Sequence, residues 1–193
     1  ACSVWDLTSA SEIAALSPAF IKIPSACNTH FELARRVCGE FGGPIHVSLG
    51  MSTRAEVEDI AAFYEERGRL GDVVLYHCTS GYPVDHEDLC LLEIGRLRGC
   101  YGDRVAGIGF SGHHRGISTD IAAYALGASY IERHFTLDRT MKGTDHAASL
   151  EPDGLRRLWR DLNAAHLALR EKPADLLPVE IEQRKKLKWN RRT

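Results

Sequence analysis

The sequence lacks an excess of either charge. Its 24 lysine and arginine residues nearly balance 26 aspartate and glutamate residues, for a formal net charge of -2. A chain so nearly neutral gives no electrostatic reason to expect a nucleic acid or an anionic membrane as partner. Long apolar runs are also missing, since no stretch approaches the roughly 18 apolar residues of a membrane span. Residues 1–6 contain no basic region followed by an apolar one, so we predict no signal peptide and a cytoplasmic location.

Paired cysteines are absent as well. The 6 cysteines are scattered and form no CxxC motif; they are Cys2, Cys27, Cys38, Cys78, Cys90 and Cys100. Without an export signal, this pattern predicts reduced thiols in the core rather than disulfides, and it disfavours a zinc site held by cysteines. Neither GxxxxGKS/T nor GxGxxG follows an apolar run, so nucleotide binding has no motif support.

The sequence does contain a regular alternation of two apolar patterns. Its 193 residues, 44% of them hydrophobic, suffice for one well-buried domain. Short runs rich in β-branched residues predict strands over 20–23, 44–48, 73–78, 105–110 and 130–135. Helical spacing fills the intervals, and a last amphipathic helix is predicted from Pro152 to Leu169. This alternation indicates an α/β fold with parallel strands.

The strand spacing fits two architectures. Successive runs begin 24 to 32 residues apart, and a (β/α)8 barrel uses roughly 31 residues per unit. An open doubly wound sheet has units of the same length, so spacing alone leaves both alternatives open. The regular pattern ends at Pro173 and Pro178, and the basic stretch 180–193 is predicted to be a solvated terminus rather than a binding arm.

Polar side chains occur at the same end of every predicted strand. They are Lys22 and Ser25, Ser48, His77 and Ser80, Ser111 and His113, and Glu132 to His134. Charged and imidazole groups cost several kcal/mol to bury in apolar strands unless they are paired or bound to a ligand. Catalytic groups gather at the carboxyl ends of parallel strands in barrels and open sheets alike. The pattern therefore predicts a ligand site at this edge.

Two histidines at neighbouring strand ends suggest a metal site. The rings of His113 and His134 are placed to converge on one divalent ion, and nearby oxygen donors favour the harder metals. The alternative is a pair of core histidines bonded to backbone carbonyls. His77 is as consistent with a structural role as with a catalytic one.

The remaining polar groups suggest an anionic or hydroxylated ligand. Lys22 in a buried strand requires a phosphate or carboxylate partner, or a Schiff-base role. Ser25, Ser48 and Ser111 are candidate donors to phosphate oxygens, although each alone is equally typical of a cap or turn. Asp145, in a polar loop after the last strand, either binds hydroxyls or caps the following turn.

Seven motifs follow one another along the chain in a specific order. They are IKIPS (21–25), VSLGMS (47–52), HCTSGYP (77–83), GFSGH (109–113), LGA (126–128), ERHFTLD (132–138) and KGTDH to SLEP (142–152). Together they resemble the motifs of the sialic acid synthase family, which comprises the N-acetylneuraminate synthases and the 9-phosphate synthases.

The resemblance implies a fold, an activity and a cofactor. The fold is a (β/α)8 barrel. The activity is condensation of phosphoenolpyruvate with an N-acylated mannosamine, or its 6-phosphate, to a nine-carbon keto acid and phosphate. The resemblance assigns a divalent metal, manganese with magnesium or cobalt as alternatives, to His113 and His134. Alternatives are a synthase of a related nonulosonic acid of the legionaminate or pseudaminate type, another phosphoenolpyruvate aldol condensation, or a non-catalytic barrel fragment.

The resemblance also assigns roles to individual residues and to parts of the chain. Catalytic roles fall to Lys22, His113 and His134, and substrate contacts fall to Ser25, Ser48, Ser80, Tyr82, Ser111 and Asp145. Residues 3–6 resemble the end of the third barrel strand, so we expect strands three to eight in a partial barrel domain over 1–172. The tail 173–193 takes the place of an antifreeze-like domain, which in the family reaches the partner subunit's site in a homodimer.

Overall fold

The computed structural model describes residues 1–189, which form one six-stranded parallel sheet covered by helices. The strands are β1 (Cys2–Ser3), β2 (Ile21–Ile23), β3 (Ile45–Ser48), β4 (Val73–Cys78), β5 (Gly107–Gly112) and β6 (Tyr130–Arg133). Each strand pairs with the next one along the chain, in the order β1 to β6. A doubly wound sheet reverses its strand order at a switch point, and no reversal occurs within residues 1–189. The strands therefore form a half-barrel.

Seven helices accompany the described strands. They are α1 (Leu7–Ala15), α2 (Phe31–Glu40), α3 (Arg54–Glu65), α4 (Leu92–Tyr101), α5 (Ser118–Ala125), α6 (Pro152–Ala168) and α7 (Pro178–Leu187). The five predicted strands are present, although β5 lies two residues later than predicted and β6 ends two residues earlier. The predicted last helix matches α6 to within one residue.

Helix α7 corrects the prediction that Pro178 ends the regular structure. Proline has no N–H and fits the first turn of a helix, where that group has no partner within the helix. Pro178 therefore begins a helix rather than ending one, and none of the residues of α7 is buried. Arg191 and Arg192 of the predicted basic tail lie outside the described residues.

The outward face of the sheet supplies the core. Side chains alternate between the two faces of a strand, and one set is almost wholly apolar. Its buried members are Ile21, Ile23, Ile45, Val47, Val73, Leu75, Ile108 and Phe110. They pack in one cluster with helix residues that include Leu33, Val37, Ile60, Tyr64, Ile94 and Leu97. Burial of this continuous apolar layer holds the helices on one side of the sheet and leaves the other side for polar groups.

The inward face carries the polar residues. Parallel register places Lys22 level with His46, Ser48 level with Tyr76, and Ser111 level with Glu132. Residues in register point to the same face of a sheet. Lys22, Ser48, Ser111 and Glu132 thus share one concave surface.

A capping box anchors the loop after β3, above this surface. Thr53 and Glu56 form a capping box at the start of α3, with Glu56 N donating to Thr53 Oγ1 at 3.2 Å and Thr53 N donating to Glu56 Oε2 at 2.7 Å. The box satisfies two backbone donors that have no partner within the helix. It therefore fixes the point at which the loop after β3 joins α3.

The cysteines are free, as predicted, but most of them are not core residues. All six lie within the described part of the chain and form no disulfide. Only Cys78 is buried, while Cys90 and Cys100 are exposed. None of the helices within residues 1–189 is both long and apolar enough to cross a bilayer.

An aromatic cluster fills the inward face below the polar strand ends. His46 is buried, stacks on Phe20 at 3.9 Å between ring centroids, and its Nδ1 lies 2.8 Å from the Tyr76 hydroxyl. Burial lowers the pKa of His46 to about 4, and nearby Glu132 only partly opposes this shift. The ring is therefore neutral at pH 7.

We expect His46 alone to make the free energy of unfolding about 2 kcal/mol smaller at pH 5 than at pH 8. The folded-state pKa lies below the unfolded value of about 6.5. The neutral ring therefore contributes stability that is fully present above pH 6.5 and is lost as the pH falls towards 4. Urea denaturation at the two pH values measures the difference.

His46→Phe is the informative variant, because its ring still stacks on Phe20 and cannot take up a proton. Its unfolding free energy is expected to vary less with pH than that of the wild type. The matched control is His166→Ala, since His166 is exposed. An identical pH dependence in wild type and His46→Phe would contradict the assignment.

Candidate active site

A cavity opens at the carboxyl ends of the strands. Its volume is about 460 Å³, within the range of small-molecule sites. All of the predicted site residues except Ser80 line it. They are Lys22, Ser25, Ser48, Tyr82, Ser111, His113, His134 and Asp145. The structure therefore brings together residues that are up to 123 positions apart, since 145 minus 22 is 123.

Ser80 is the exception. It is not among the residues that line the cavity, but its hydroxyl lies 3.9 Å from the Sγ atom of Cys78, which does line it. A Cβ atom built on Gly50 would lie 2.4 Å from Ser80 Oγ and 2.7 Å from Ser25 Oγ. Gly50 thus lets two serine hydroxyls and the Cys78 thiol approach one another at the end of β3.

The partner of Lys22 is Glu132, a polar strand-end residue whose pairing with Lys22 is not predictable from the sequence. Lys22 Nζ forms an ion pair with Glu132 Oε1, which also accepts a 2.8 Å hydrogen bond from Ser111 Oγ. Burial opposes ionisation of Glu132, but the charge of Lys22 and the bonds from Lys22 and Ser111 hold the pKa of Glu132 below its ordinary value. The carboxylate that Lys22 requires is thus supplied by the chain itself.

The structure places His113 and His134 side by side. Their ring centroids lie 5.1 Å apart, and the Tyr82 ring lies 4.5 Å from His113 and 5.6 Å from His134. Burial lowers the pKa of both imidazoles, and for His134 the neighbouring His113 adds to the effect. Both rings are therefore neutral at pH 7, which is the form that binds metal ions.

The contacts of the two rings bear on the metal assignment. His113 Nδ1 lies 3.0 Å from the carbonyl oxygen of Thr79. A carbonyl only accepts, so Nδ1 carries the proton and Nε2 keeps a free lone pair, as in metal-binding histidines. His134 Nδ1 lies 3.6 Å from Asp145 Oδ2. The alternative of a core histidine bonded to a backbone carbonyl therefore fits Nδ1 of His113, but it does not fit His134, whose Nδ1 faces the Asp145 carboxylate.

The donor set available for a metal is nevertheless limited. Within residues 1–189, no three His, Cys, Asp or Glu side chains are grouped closely enough to hold an ion by themselves. Two neutral imidazoles fit a metal whose other positions are taken by oxygen ligands. The residues present therefore fit part of a metal site.

Ser48 brings an unpartnered hydroxyl to the wall of the cavity. Its side chain is buried, and its hydroxyl has no hydrogen-bond partner among the described residues. A buried polar group without a partner costs about 1–3 kcal/mol. A cavity-lining hydroxyl in this state is suited to donate to a bound ligand.

His77 has a structural contact instead. Its register places it opposite Phe110 on the outward face, and its Nε2 lies 2.7 Å from the carbonyl oxygen of Leu89. This contact resolves the two interpretations of His77 in favour of the structural one.

Comparison with known proteins identifies the family. The NeuB family model matches residues 1–173. The chain is 40% identical over 156 residues to an N-acetylneuraminate-9-phosphate synthase of Drosophila melanogaster and 35% identical over 172 residues to one of Homo sapiens. It is also 33% identical over 166 residues to an N,N'-diacetyllegionaminic acid synthase of Campylobacter jejuni.

These relatives are longer than the chain. The matches cover 81%, 89% and 86% of this chain but only 41%, 46% and 48% of the relatives, in the same order. The chain thus spans about half the length of the curated relatives it matches.

Solved structures agree in fold. An N-acetylneuraminic acid synthetase of Leptospira borgpetersenii superposes with a TM-score of 0.82 at 27% identity, over 96% of this chain and 64% of that one. A truncated 3-deoxy-D-arabino-heptulosonate 7-phosphate synthase of Thermotoga maritima superposes at 0.72 and 18% identity, over 86% of this chain and 65% of that one, which shows a shared fold alone. The named relatives are enzymes, and the chain belongs to the NeuB family.

Proposed function

We propose that this chain carries a large part of the active site of a metal-dependent synthase. The reaction condenses phosphoenolpyruvate with an N-acylated mannosamine, or its 6-phosphate, to a nine-carbon keto acid and phosphate. One observation carries the proposal: a single cavity joins a lysine, an unpartnered buried serine and two neutral histidines. This set matches an anionic substrate beside an aldehyde that needs polarisation.

Phosphoenolpyruvate fits the serine and lysine side of the cavity. Lys22, Ser25, Ser48 and Ser111 all line this side and present one ammonium and three hydroxyls. The ammonium of Lys22 is held by Glu132, so it is already oriented when the substrate arrives. Such fixed donors hold the enol carbon close to its electrophile and remove the entropy cost of that alignment.

The sugar fits the histidine side. Tyr82 lies at the mouth with its side chain about half exposed, beside both histidines. Asp145 faces His134 from the loop after β6 and is suited to accept hydrogen bonds from hydroxyls. The hydroxyl of Ser80 lies beside the cavity-lining Cys78 and is a further candidate contact to the sugar. A bound divalent metal, manganese or alternatively magnesium or cobalt, supplies Lewis-acid polarisation of the aldehyde.

The bond changes are those of an aldol-type condensation. The enol carbon attacks the aldehyde carbon, so a carbon–carbon bond forms while the aldehyde π bond breaks and its oxygen takes up a proton. Water then adds to the resulting cationic carbon, which still carries the phosphate, and gives up a proton. Phosphate then leaves as the carbon–oxygen bond breaks. We place these steps between the Lys22 and His113 sides of the cavity.

We further propose that the half-barrel is part of a (β/α)8 barrel, with strands β1 to β6 as its third to eighth strands. The sequential strand order and the 64% coverage of the Leptospira chain support this interpretation. The partial barrel domain 1–172, the tail 173–193, the homodimer and the cytoplasmic location remain parts of the same proposal.

Product analysis with a panel of sugars tests the function. The protein used is a chimera, called the completed chain below. It consists of this chain joined to the parts of the human relative that flank the matched region. We expect a keto acid from N-acetylmannosamine or its 6-phosphate with phosphoenolpyruvate and Mn²⁺. Turnover restricted to precursors of legionaminate or pseudaminate would replace the substrate assignment, and no turnover of any sugar would favour a non-catalytic fragment.

Gly50→Ala is expected to weaken phosphoenolpyruvate affinity about tenfold with little loss of stability. The new Cβ would lie 2.7 Å from Ser25 Oγ and 2.4 Å from Ser80 Oγ, so both hydroxyls must move. Because the obstructing atoms are tips of side chains rather than backbone, the fold accommodates the change. Isothermal titration of the completed chain with phosphoenolpyruvate measures the effect.

Gly39→Ala is the matched control, since a Cβ there meets nothing within 4 Å and Gly39 lies in α2. It is expected to leave the affinity unchanged and to stabilise the helix by about 0.5–1 kcal/mol. Equal phosphoenolpyruvate affinities in wild type and Gly50→Ala would contradict the placement of Ser25 at the substrate.

A further inference from the structure

We propose that Arg133 is a positioning residue for the His113 and His134 pair, acting with Asp120 and His114 from the opposite face of the sheet. Arg133 and His114 are the chain neighbours of His134 and His113. Because side chains alternate along a strand, the two members of each neighbouring pair point to opposite faces. The inference rests on the proposed function only where it concerns metal binding.

The three residues form a buried polar cluster around the Arg133–Asp120 ion pair. The side chains of His114 and Asp120 are 0% exposed, and that of Arg133 is 3% exposed. Arg133 Nη1 donates to Asp120 Oδ2 at 2.6 Å, and His114 Nε2 lies 3.3 Å from the same oxygen. Asp120 lies in the first turn of α5. The cluster therefore joins β6, the end of β5 and the helix between them.

The guanidinium group of Arg133 also donates to backbone carbonyls in the segment after β5 and in the loop after β6. Nη1 donates to the carbonyl of Gly116 at 2.8 Å, and Nη2 donates to that of His114 at 2.6 Å and that of Ala148 at 3.4 Å. One planar group thus links the residue that precedes His134 to the residue that follows His113. The relative position of the two imidazoles depends on this link.

Stability alone does not account for the cluster. Within the described residues, His114 Nδ1, Asp120 Oδ1 and Arg133 Nε are buried without a hydrogen-bond partner. A buried ion pair adds little to the stability of the fold compared with apolar side chains of the same volume. Each buried polar atom without a partner lowers that stability further. A planar fork with fixed donor directions instead supplies geometry, as residues behind metal ligands commonly do.

Arg133→Lys tests the inference because it keeps the positive charge and removes the fork. A lysine ammonium is a point donor and does not reproduce a planar arrangement toward Asp120 and three carbonyls. Asp120→Asn is the second variant, since it keeps an acceptor at the same position and perturbs the fold less. Both are compared with wild type in this chain.

Arg69→Lys is a matched control at a distant site. Arg69 is 15% exposed, pairs with Asp72 at 2.6 Å, and donates to the carbonyls of Cys38, Phe41 and Gly43 at 2.8 to 3.1 Å. It clamps backbone as Arg133 does, but beside α2 and β3. Any effect of general destabilisation will appear in both lysine variants.

Two measurements separate positioning from stability. The first is the NMR signal of the imidazole Cε1–H groups of His113 and His134 in metal-free protein, labelled at histidine. The second is the dissociation constant for Mn²⁺. We expect Arg133→Lys to shift both imidazole signals and to weaken Mn²⁺ binding about 10- to 100-fold. Asp120→Asn is expected to give smaller changes in the same direction.

Unchanged imidazole signals in Arg133→Lys and Asp120→Asn, or equal shifts in Arg69→Lys, would overturn the inference. A wild-type chain that binds no Mn²⁺ would contradict the metal assignment of the proposed function. The NMR comparison would still decide whether Arg133 positions the two rings.

Discussion

Replacing His113 or His134 by alanine is expected to lower metal-dependent phosphate release in the completed chain about 10³-fold or more. The two imidazoles are the nitrogen donors that face each other in the cavity, 5.1 Å apart between ring centroids. Removing either one leaves a single histidine, which is too few protein ligands to retain an ion beside the aldehyde. Phosphate release at saturating substrates measures the loss, and Mn²⁺ titration shows whether it follows the metal.

The control for both variants is His166→Ala, because His166 is exposed and contacts Tyr124 rather than the cavity. Its phosphate release and its Mn²⁺ affinity are expected to match the wild type. Full activity in His113→Ala or His134→Ala would remove the basis of the metal assignment.

Lys22→Met is expected to lower kcat/KM for phosphoenolpyruvate about 10²- to 10³-fold. The change removes the lysine ammonium that lines the cavity together with the three serine hydroxyls, and it leaves Glu132 in the cavity with its charge unpaired. Uncompensated, a buried charge costs about 3–5 kcal/mol. Because about a third of the Glu132 side chain is exposed, we expect a smaller loss of about 2 kcal/mol in the free energy of unfolding.

The double variant Lys22→Met with Glu132→Gln separates the two effects. It removes both charges, so stability is expected to return while phosphoenolpyruvate turnover stays low. Lys172→Met with Glu180→Gln is the matched pair at the surface, where the ion pair is half exposed and contributes little. Recovery of turnover in the first double variant would show that Lys22 serves the fold rather than the substrate.

The strand ends could be predicted from the sequence because their chemistry is local. A lysine, a serine or a histidine within or beside a β-branched run is visible without knowing the fold, and parallel strands bring such ends together. Lys22, Ser48 and His113 were found in this way, and the cavity contains all three. Ser80 follows the same pattern but does not line the cavity, and its hydroxyl lies near Gly50 and Cys78.

Contacts between distant strands were not predictable in the same way. Glu132 pairs with Lys22 across 110 positions of sequence, and strand periodicity alone does not show that β2 and β6 face each other. The sequence shows a glutamate in a predicted strand. Its position level with Ser111 on the inward face is known only when the pairing of β5 with β6 is known. Likewise, Asp120 in the first turn of α5 resembles a surface helix residue until Arg133 is placed beside it.

The most direct test of the central claim follows the oxygen between carbon and phosphorus in phosphoenolpyruvate. The completed chain is incubated with N-acetylmannosamine or its 6-phosphate, Mn²⁺ and phosphoenolpyruvate that carries ¹⁸O at this bridging position. The account predicts phosphate release that requires the sugar, with the label in the phosphate because the carbon–oxygen bond breaks. Phosphate released without the sugar, or label retained in the organic product, would contradict the assignment of the cavity to this condensation.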